Sequence, residues 1–115
     1  MGKVDPPVTL SKIVELTSQN FDRMLKTSRK VFVDFWAPWC KPCVRMDPLI
    51  ERMADKHSTI TFAKVNIEDY GELASRYHIS SIPAYVIFTD SSPSASKIGT
   101  MSEIELEKLL VEHSS

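Results

Sequence analysis

The sequence contains little glycine, no cysteine outside one closely spaced pair, and no long apolar run. Only three glycines occur among 115 residues, and the two cysteines are Cys40 and Cys43. The longest purely apolar run is the five residues 84–88, whereas a helix needs about 20 apolar residues to span a bilayer. A secreted domain stapled by disulfides would carry more cysteines, spread widely along the chain. These absences argue against a membrane span and against a scaffold held by structural disulfides.

An excess of charge of one sign is also missing. The formal net charge is −1, from 14 Lys and Arg against 15 Asp and Glu. Nucleic-acid and anionic-membrane binders need a basic excess, so we expect neither partner. The length suits one domain, which we place at residues 11–115 after a flexible N-terminal lead-in at residues 1–10. Because no secretory signal opens the chain, we expect a cytoplasmic protein, or an organellar one if a leader was removed.

Hydrophobic periodicity predicts strands and helices in alternation. The predicted strands are residues 12–16, 31–36, 59–67, 84–88 and 95–98, and the predicted helices are residues 20–26, 40–57, 70–77 and 102–112. Alternation of this kind gives parallel crossovers, and a final hairpin adds antiparallel strands. The expected fold class is therefore α/β, with a mixed central five-stranded sheet flanked by helices on both faces.

Local signals predict where several of these elements begin and turn. Ser18 is expected to cap the first helix. The serine-rich residues 90–96 are expected to form the turn of the hairpin. Ser102 and Glu105 have the spacing of a capping box, which would open the last helix. Ile104 is expected on the apolar side of that helix.

The segment Trp39-Cys40-Lys41-Pro42-Cys43 directly follows a strand of buried character and opens a helix. A cysteine at a helix N-terminus meets the positive end of the helix dipole and unpaired N–H groups, which favour the thiolate. The thiolate is the form that attacks a disulfide. Cys43, three residues later on the same helical face, could then attack the mixed disulfide. The spacing predicts dithiol–disulfide chemistry.

A metal site is the alternative for the same two cysteines. One C-x-x-C pair supplies only two of the four ligands that zinc takes in structural sites, and no histidine pair stands at zinc-finger spacing. Redox use is therefore favoured, and we expect no metal. A metal or cluster that bridges two chains stays open at this point.

At this motif the sequence resembles the thioredoxin family, of the WCxPC active-site type, over about residues 13–112. The landmarks are the active-site segment 33–43, Pro48 within the kinked second helix, the strand 63–67, the cis-proline loop Ile82-Pro83, and the strand end 97–99. The resemblance implies a thioredoxin-like fold. It also implies that Cys40 is the attacking thiol and Cys43 the resolving thiol. Asp34 would be the buried carboxylate that assists proton loss from Cys43, with a raised pKa.

Further residues take supporting roles by the same resemblance. Those that support or tune the cysteines are Trp39, Lys41, Pro42 and Lys64. Those that bind substrate are Ile82, Pro83 in the cis form, and Gly99. Lys41 stands where the family most often has glycine, so we hypothesise that its positive charge lowers the pKa of Cys40 and makes the protein slightly more oxidising.

The function that the resemblance implies is a protein dithiol–disulfide oxidoreductase, an enzyme that reduces disulfides in target proteins such as peroxiredoxins. Thioredoxin reductase would regenerate it with electrons from NADPH. No cofactor would be bound, because the two sulfurs carry both electrons, and we expect a monomer. Two rival functions on the same fold are an oxidase or isomerase of protein folding and a binding module whose cysteines sense oxidation.

Overall fold

The computed structural model describes residues 12–114, so the predicted lead-in at residues 1–10 lies outside the described residues. The elements in chain order are β1 (Val14–Leu16), α1 (Phe21–Thr27), β2 (Lys30–Trp36), α2 (Lys41–Lys56), β3 (Thr61–Asn66), α3 (Gly71–Arg76), β4 (Ala84–Thr89), β5 (Ser92–Ile98) and α4 (Glu103–Glu112). Within this part of the chain, no helix combines the length and apolar character that a bilayer crossing requires.

The five strands form one mixed sheet in the spatial order β1-β3-β2-β4-β5. The β1–β3 and β2–β3 pairs are parallel, while the β2–β4 and β4–β5 pairs are antiparallel. The helical segments between the first strands provide the crossovers that parallel pairing requires. The predicted element order and the mixed five-stranded sheet are confirmed.

Two apolar clusters cover the two faces of the sheet. On one face Val31, Val33 and Phe35 of β2 pack with residues of α1 and α3. On the other, Phe32 packs with residues of α2 and α4. Because side chains alternate along a strand, β2 is buried on both faces and its residues are apolar almost throughout. Helices on both faces of the sheet are therefore confirmed.

The hairpin between β4 and β5 is tighter than the sequence predicts. Only Asp90 and Ser91 lie between the two strands, and both have positive φ angles, of 52° and 72°. Residues 92–94, predicted as part of the turn, instead begin β5. Serine and Pro93 are tolerated there because β5 is an edge strand, which pairs on one side only.

The predicted N-cap is wrong for the first helix and right for the last. Asn20, not Ser18, is the N-cap of α1, and the Ser18 hydroxyl instead donates to the Glu72 carboxylate. The predicted capping box is confirmed: the Glu105 N–H donates to Ser102 Oγ, and the Ser102 N–H to the Glu105 carboxylate. The placement of Ile104 was wrong, since it is 81% exposed.

Candidate active site

The two cysteines lie at the point where β2 ends and α2 begins. Cys40 is the N-cap of α2, and its sulfur accepts a hydrogen bond from the Cys43 N–H at 3.3 Å. The two residues form a disulfide, with their Cα atoms 5.3 Å apart. Cys40 is 6% exposed and Cys43 is 1% exposed. A sulfur at this position receives both the helix dipole and a backbone N–H, which would stabilise a thiolate after reduction.

Four residues near the disulfide are here called the apolar rim: Trp39, Ile82, Pro83 and Gly99. Trp39, directly before it, is 64% exposed, whereas Ile82 packs against the two cysteines. The Ile82-Pro83 peptide bond is cis, as the resemblance implies. The Gly99 N–H donates to the Pro83 carbonyl at 2.8 Å, and the Gly99 φ of 95° requires glycine. The structure therefore brings the three predicted substrate-binding residues together, and Ile82 links them to the disulfide.

Asp34 lies on β2, on the face of the sheet that α2 and α4 cover, and is 2% exposed. In the sheet register its partner on β3 is Lys64. The pKa of Asp34 is raised to about 7: burial is the largest cause, the negative charge of Asp47 adds to the rise, and the positive charge of Lys64 opposes it. A carboxyl with such a pKa can both accept and release a proton near neutrality.

Lys64 and Lys41 approach the site from different sides. The Lys64 ammonium lies over the Trp36 ring, 5.0 Å from its centroid, which is within the range of a cation–π interaction. Lys41 is exposed in the first turn of α2, next to Pro42 at a position where a missing N–H is tolerated. Lys64 is thus the cation beside Asp34 and Trp36, while Lys41 is the exposed cation next to Cys40 in the chain.

Two residues that the sequence analysis missed also face Asp34. Asp47 follows Cys43 by four residues on α2, so the two side chains lie on one helix face. Burial raises the pKa of Asp47, Lys64 lowers it, and Glu51 raises it. Tyr85 is the register partner of Asp34 on β4. The four-residue spacing could have identified Asp47, whereas nothing local indicates Tyr85.

Metal binding by the site's own chain finds no support in residues 12–114. Nowhere in that range do three or more histidine, cysteine, aspartate or glutamate side chains form a group that could hold a metal ion.

Comparison with known proteins assigns the family. The family model described as Thioredoxin matches residues 12–112. The chain belongs to the thioredoxin family. A thioredoxin from Buchnera aphidicola subsp. Acyrthosiphon pisum (strain APS) is 40% identical over 106 residues, which cover 90% of this chain and 98% of the relative.

Solved structures show the same thioredoxin-like fold. A mutant thioredoxin from Halobacterium salinarum NRC-1 is 23% identical, covers 95% of this chain and 97% of its own, and has a TM-score of 0.84. Another, at 24% identity and TM-score 0.80, covers 87% and 94% of the two chains. Its description concerns the thiol resolving mechanism in yeast mitochondrial 1-Cys peroxiredoxin via glutathione/thioredoxin systems.

Membership of the thioredoxin family and the Cys40–Cys43 pair together establish the type of chemistry. The protein is a dithiol–disulfide oxidoreductase, and its targets are disulfide-containing proteins. The predicted family, fold class and reaction type are confirmed. A protein-folding oxidase or isomerase and a redox-sensing binding module are not favoured.

Proposed function

We propose that this thioredoxin-family protein reduces target disulfides with Cys40 as the attacking thiol and Cys43 as the resolving thiol. The position of Cys40 at the N-terminus of α2, with a backbone N–H on its sulfur, is the observation that carries this assignment. Cys43 lies further inside and is almost fully buried. A target disulfide therefore reaches Cys40 first, and Cys43 attacks from within.

The reaction proceeds in two exchanges. The Cys40 thiolate bonds to one sulfur of the target disulfide, whose other sulfur leaves as a thiolate and takes a proton from solvent. Cys43 then loses its proton and attacks the Cys40 sulfur, which releases the second target thiolate to take a proton from solvent. The target gains two electrons and two protons, and the protein ends as the Cys40–Cys43 disulfide.

Asp34 is the group that we assign to the Cys43 proton. Its raised pKa, caused mainly by burial, suits a base that works near neutrality. Lys64, its register partner, stabilises the charged carboxylate and sets how far that pKa rises. Asp34 therefore accepts the proton from Cys43, and a water molecule carries it where the two groups are not in direct contact.

The apolar rim is the surface that we assign to substrate docking. Ile82 and the cis Pro83 present backbone next to the disulfide, to which an extended target segment adds as a strand. Gly99 keeps the neighbouring backbone in a conformation that a larger residue rarely adopts. Trp39, directly before Cys40 in the chain, supplies exposed apolar area.

Family membership supports further expectations about partners and location. We expect thioredoxin reductase to return the disulfide to the dithiol with electrons from NADPH. Peroxiredoxins are an expected class of target, since a structure of similar fold concerns one. We further expect a monomer in the cytoplasm, with an organelle as the alternative location.

The test is catalytic reduction of insulin with and without thioredoxin reductase and NADPH. Many insulin disulfides reduced per protein molecule are expected, and loss of turnover is expected for both Cys40→Ser and Cys43→Ser. The two variants differ in the adduct that they leave. Cys43→Ser should accumulate a mixed disulfide on Cys40, seen by mass spectrometry, whereas Cys40→Ser should accumulate none.

Three results would contradict the proposal. Reaction that stops at one equivalent in the presence of the reductase would indicate a sensor rather than an enzyme. An adduct on Cys43 in the Cys40→Ser variant, formed as fast as the one on Cys40, would reverse the two cysteine roles. A reduction potential far more oxidising than that of thioredoxins, about −270 mV, would indicate a folding oxidase.

A further inference from the structure

The Tyr85 hydroxyl is a buried polar group for which the proposed mechanism has no use. Among residues 12–114 its oxygen has no hydrogen-bond partner, and the same is true of Asp34 Oδ1. Buried polar atoms in proteins almost always bond to protein or to ordered water. Among the described residues these are the two unpartnered buried side-chain oxygens, and the third unpartnered atom is Nε1 of Trp36, a donor on the same strand as Asp34.

The sheet register places these two groups side by side. Asp34 and Tyr85 are partners in the antiparallel β2–β4 pair, so their side chains leave the sheet on the same face. They form the centre of a polar row across all five strands, whose ends are exposed and whose centre is buried. In spatial order the polar row is Glu15, Lys64, Asp34, Tyr85 and Lys97.

Packing holds the Tyr85 ring in this position. The ring is almost fully buried and stacks on Phe32 with a centroid distance of 5.5 Å. Asp34 and Asp47 are the charged groups that act on Tyr85 directly, and Lys97 is its register partner on β5. Lys64 is the register partner of Asp34 and acts, like Glu51, on Asp47. The hydroxyl therefore faces a site that carries two carboxylates, Asp34 and Asp47, which only accept hydrogen bonds when they are ionised.

We propose that Tyr85 is a positioning residue for the proton-transfer step, and that its hydroxyl donates to the Asp34 carboxylate through one internal water molecule. Such a water would satisfy both unpartnered oxygens. The inference rests on the proposed role of Asp34 as the acceptor of the Cys43 proton. A donor to the ionised carboxylate favours its charged form, so Tyr85 works together with Lys64 against the effect of burial.

The test is an NMR titration of the Asp34 carboxyl carbon in the oxidised protein, with and without Tyr85→Phe. Loss of one hydrogen bond to the charged form should raise the pKa of Asp34 by about 0.5–1 pH unit. The pH midpoint for release of the mixed disulfide should rise by the same amount. The matched control is Tyr70→Phe, which removes a hydroxyl on the opposite face of the sheet and should leave both midpoints unchanged.

An unchanged or lower Asp34 midpoint in Tyr85→Phe would overturn the inference. A second measurement needs no variant and decides the matter if Tyr85→Phe fails to fold. The NMR signal of the ring carbon that bears the Tyr85 hydroxyl should shift with the Asp34 midpoint, whereas the same carbon of Tyr70 should not. A Tyr85 carbon signal that does not shift at this midpoint would overturn the role.

The two proposals fail in different ways. The Asp34 titration requires no turnover, so a missing shift together with normal insulin reduction removes only the role of Tyr85. Absence of insulin turnover in the unaltered protein instead removes the proposed function.

Discussion

The two faces of the central sheet differ in kind although they share the same strands. On the face covered by α1 and α3, every sheet residue in the cluster is apolar, and Phe21, Tyr77 and Phe88 pack their rings together at 5.1–5.9 Å. On the face covered by α2 and α4, the polar row crosses the sheet and buries Asp34 at its centre.

The two faces therefore contribute differently to stability and to chemistry. Apolar burial is the main favourable contribution to folding, so the α1/α3 face contributes stability without any chemistry. The α2/α4 face carries an ionisable group whose burial is unfavourable, directly beneath the helix that bears the cysteines. Changes on the first face should alter stability alone, and changes on the second should alter both stability and proton transfer.

The largest expected effect is on the apolar face. Phe88→Ala removes a fully buried ring and should lower the free energy of unfolding by about 3–5 kcal/mol, measured by urea denaturation of the oxidised protein. The alkylation rate of Cys40 in the reduced protein should not change. A changed rate would break the comparison, because it would show that the two faces are not independent.

Asp34→Asn should change the free energy of unfolding by a similar amount, but it should raise this free energy at high pH. Because the pKa of Asp34 is raised to about 7 from 3.8, the folded protein keeps a proton that the unfolded chain has lost between these values. Stability therefore falls as pH rises through this window. The free energy of unfolding of the variant, relative to that of the parent, should rise by about 4 kcal/mol between pH 4 and pH 8.

The control for this change is Asp55→Asn on the same face. Asp55 is exposed at the end of α2, and its 3.7 Å ion pair with Lys12 is open to solvent, so its replacement should change the free energy of unfolding by less than about 1 kcal/mol at either pH. An Asp34→Asn difference that does not vary with pH would contradict the burial of a titrating carboxyl. Insulin turnover by the Asp34→Asn variant should fall if the carboxyl accepts the Cys43 proton, because an amide cannot take its place as a base.

Asp47→Asn sharpens the comparison within the polar face. Removal of this negative charge should lower the pKa of Asp34 by about half a pH unit, for charges about 8 Å apart at an effective dielectric of about 40–80. The Asp34 carboxyl carbon followed by NMR gives the midpoint. An unchanged midpoint would mean that Asp47 does not act on Asp34.

The smallest expected effect concerns Lys41, which is on the solvent side of the site. Lys41→Gly should raise the pKa of Cys40 by about 0.5 pH unit, since a screened positive charge about 6 Å away contributes no more than that. Thiolate absorbance of the reduced protein measures this pKa, and the reduction potential should become slightly more reducing. Lys41→Gln, which keeps helix propensity, should give the same result if charge is the cause.

Residues near one another in the chain made much of this molecule predictable. The capping box at Ser102, the strand-to-helix position of Cys40 and the β2 run of apolar residues are all local patterns. The turn at Asp90 and Ser91 was not predictable, because pairing of β4 with β5 imposes positive φ angles on residues that seldom adopt them. Asp47 and Tyr85 join Asp34 only through packing of distant segments.

By itself the sequence determined the reaction type, because two cysteines three residues apart at a helix start can form and break a disulfide within one turn. Only the tertiary structure decided the pKa of the buried carboxyl. The pKa of Asp34 depends on how much water the fold removes and on charges from β3 and α2, and its neighbour Tyr85 is set by strand register. Burial and register join segments far apart in the chain, so no local pattern records them.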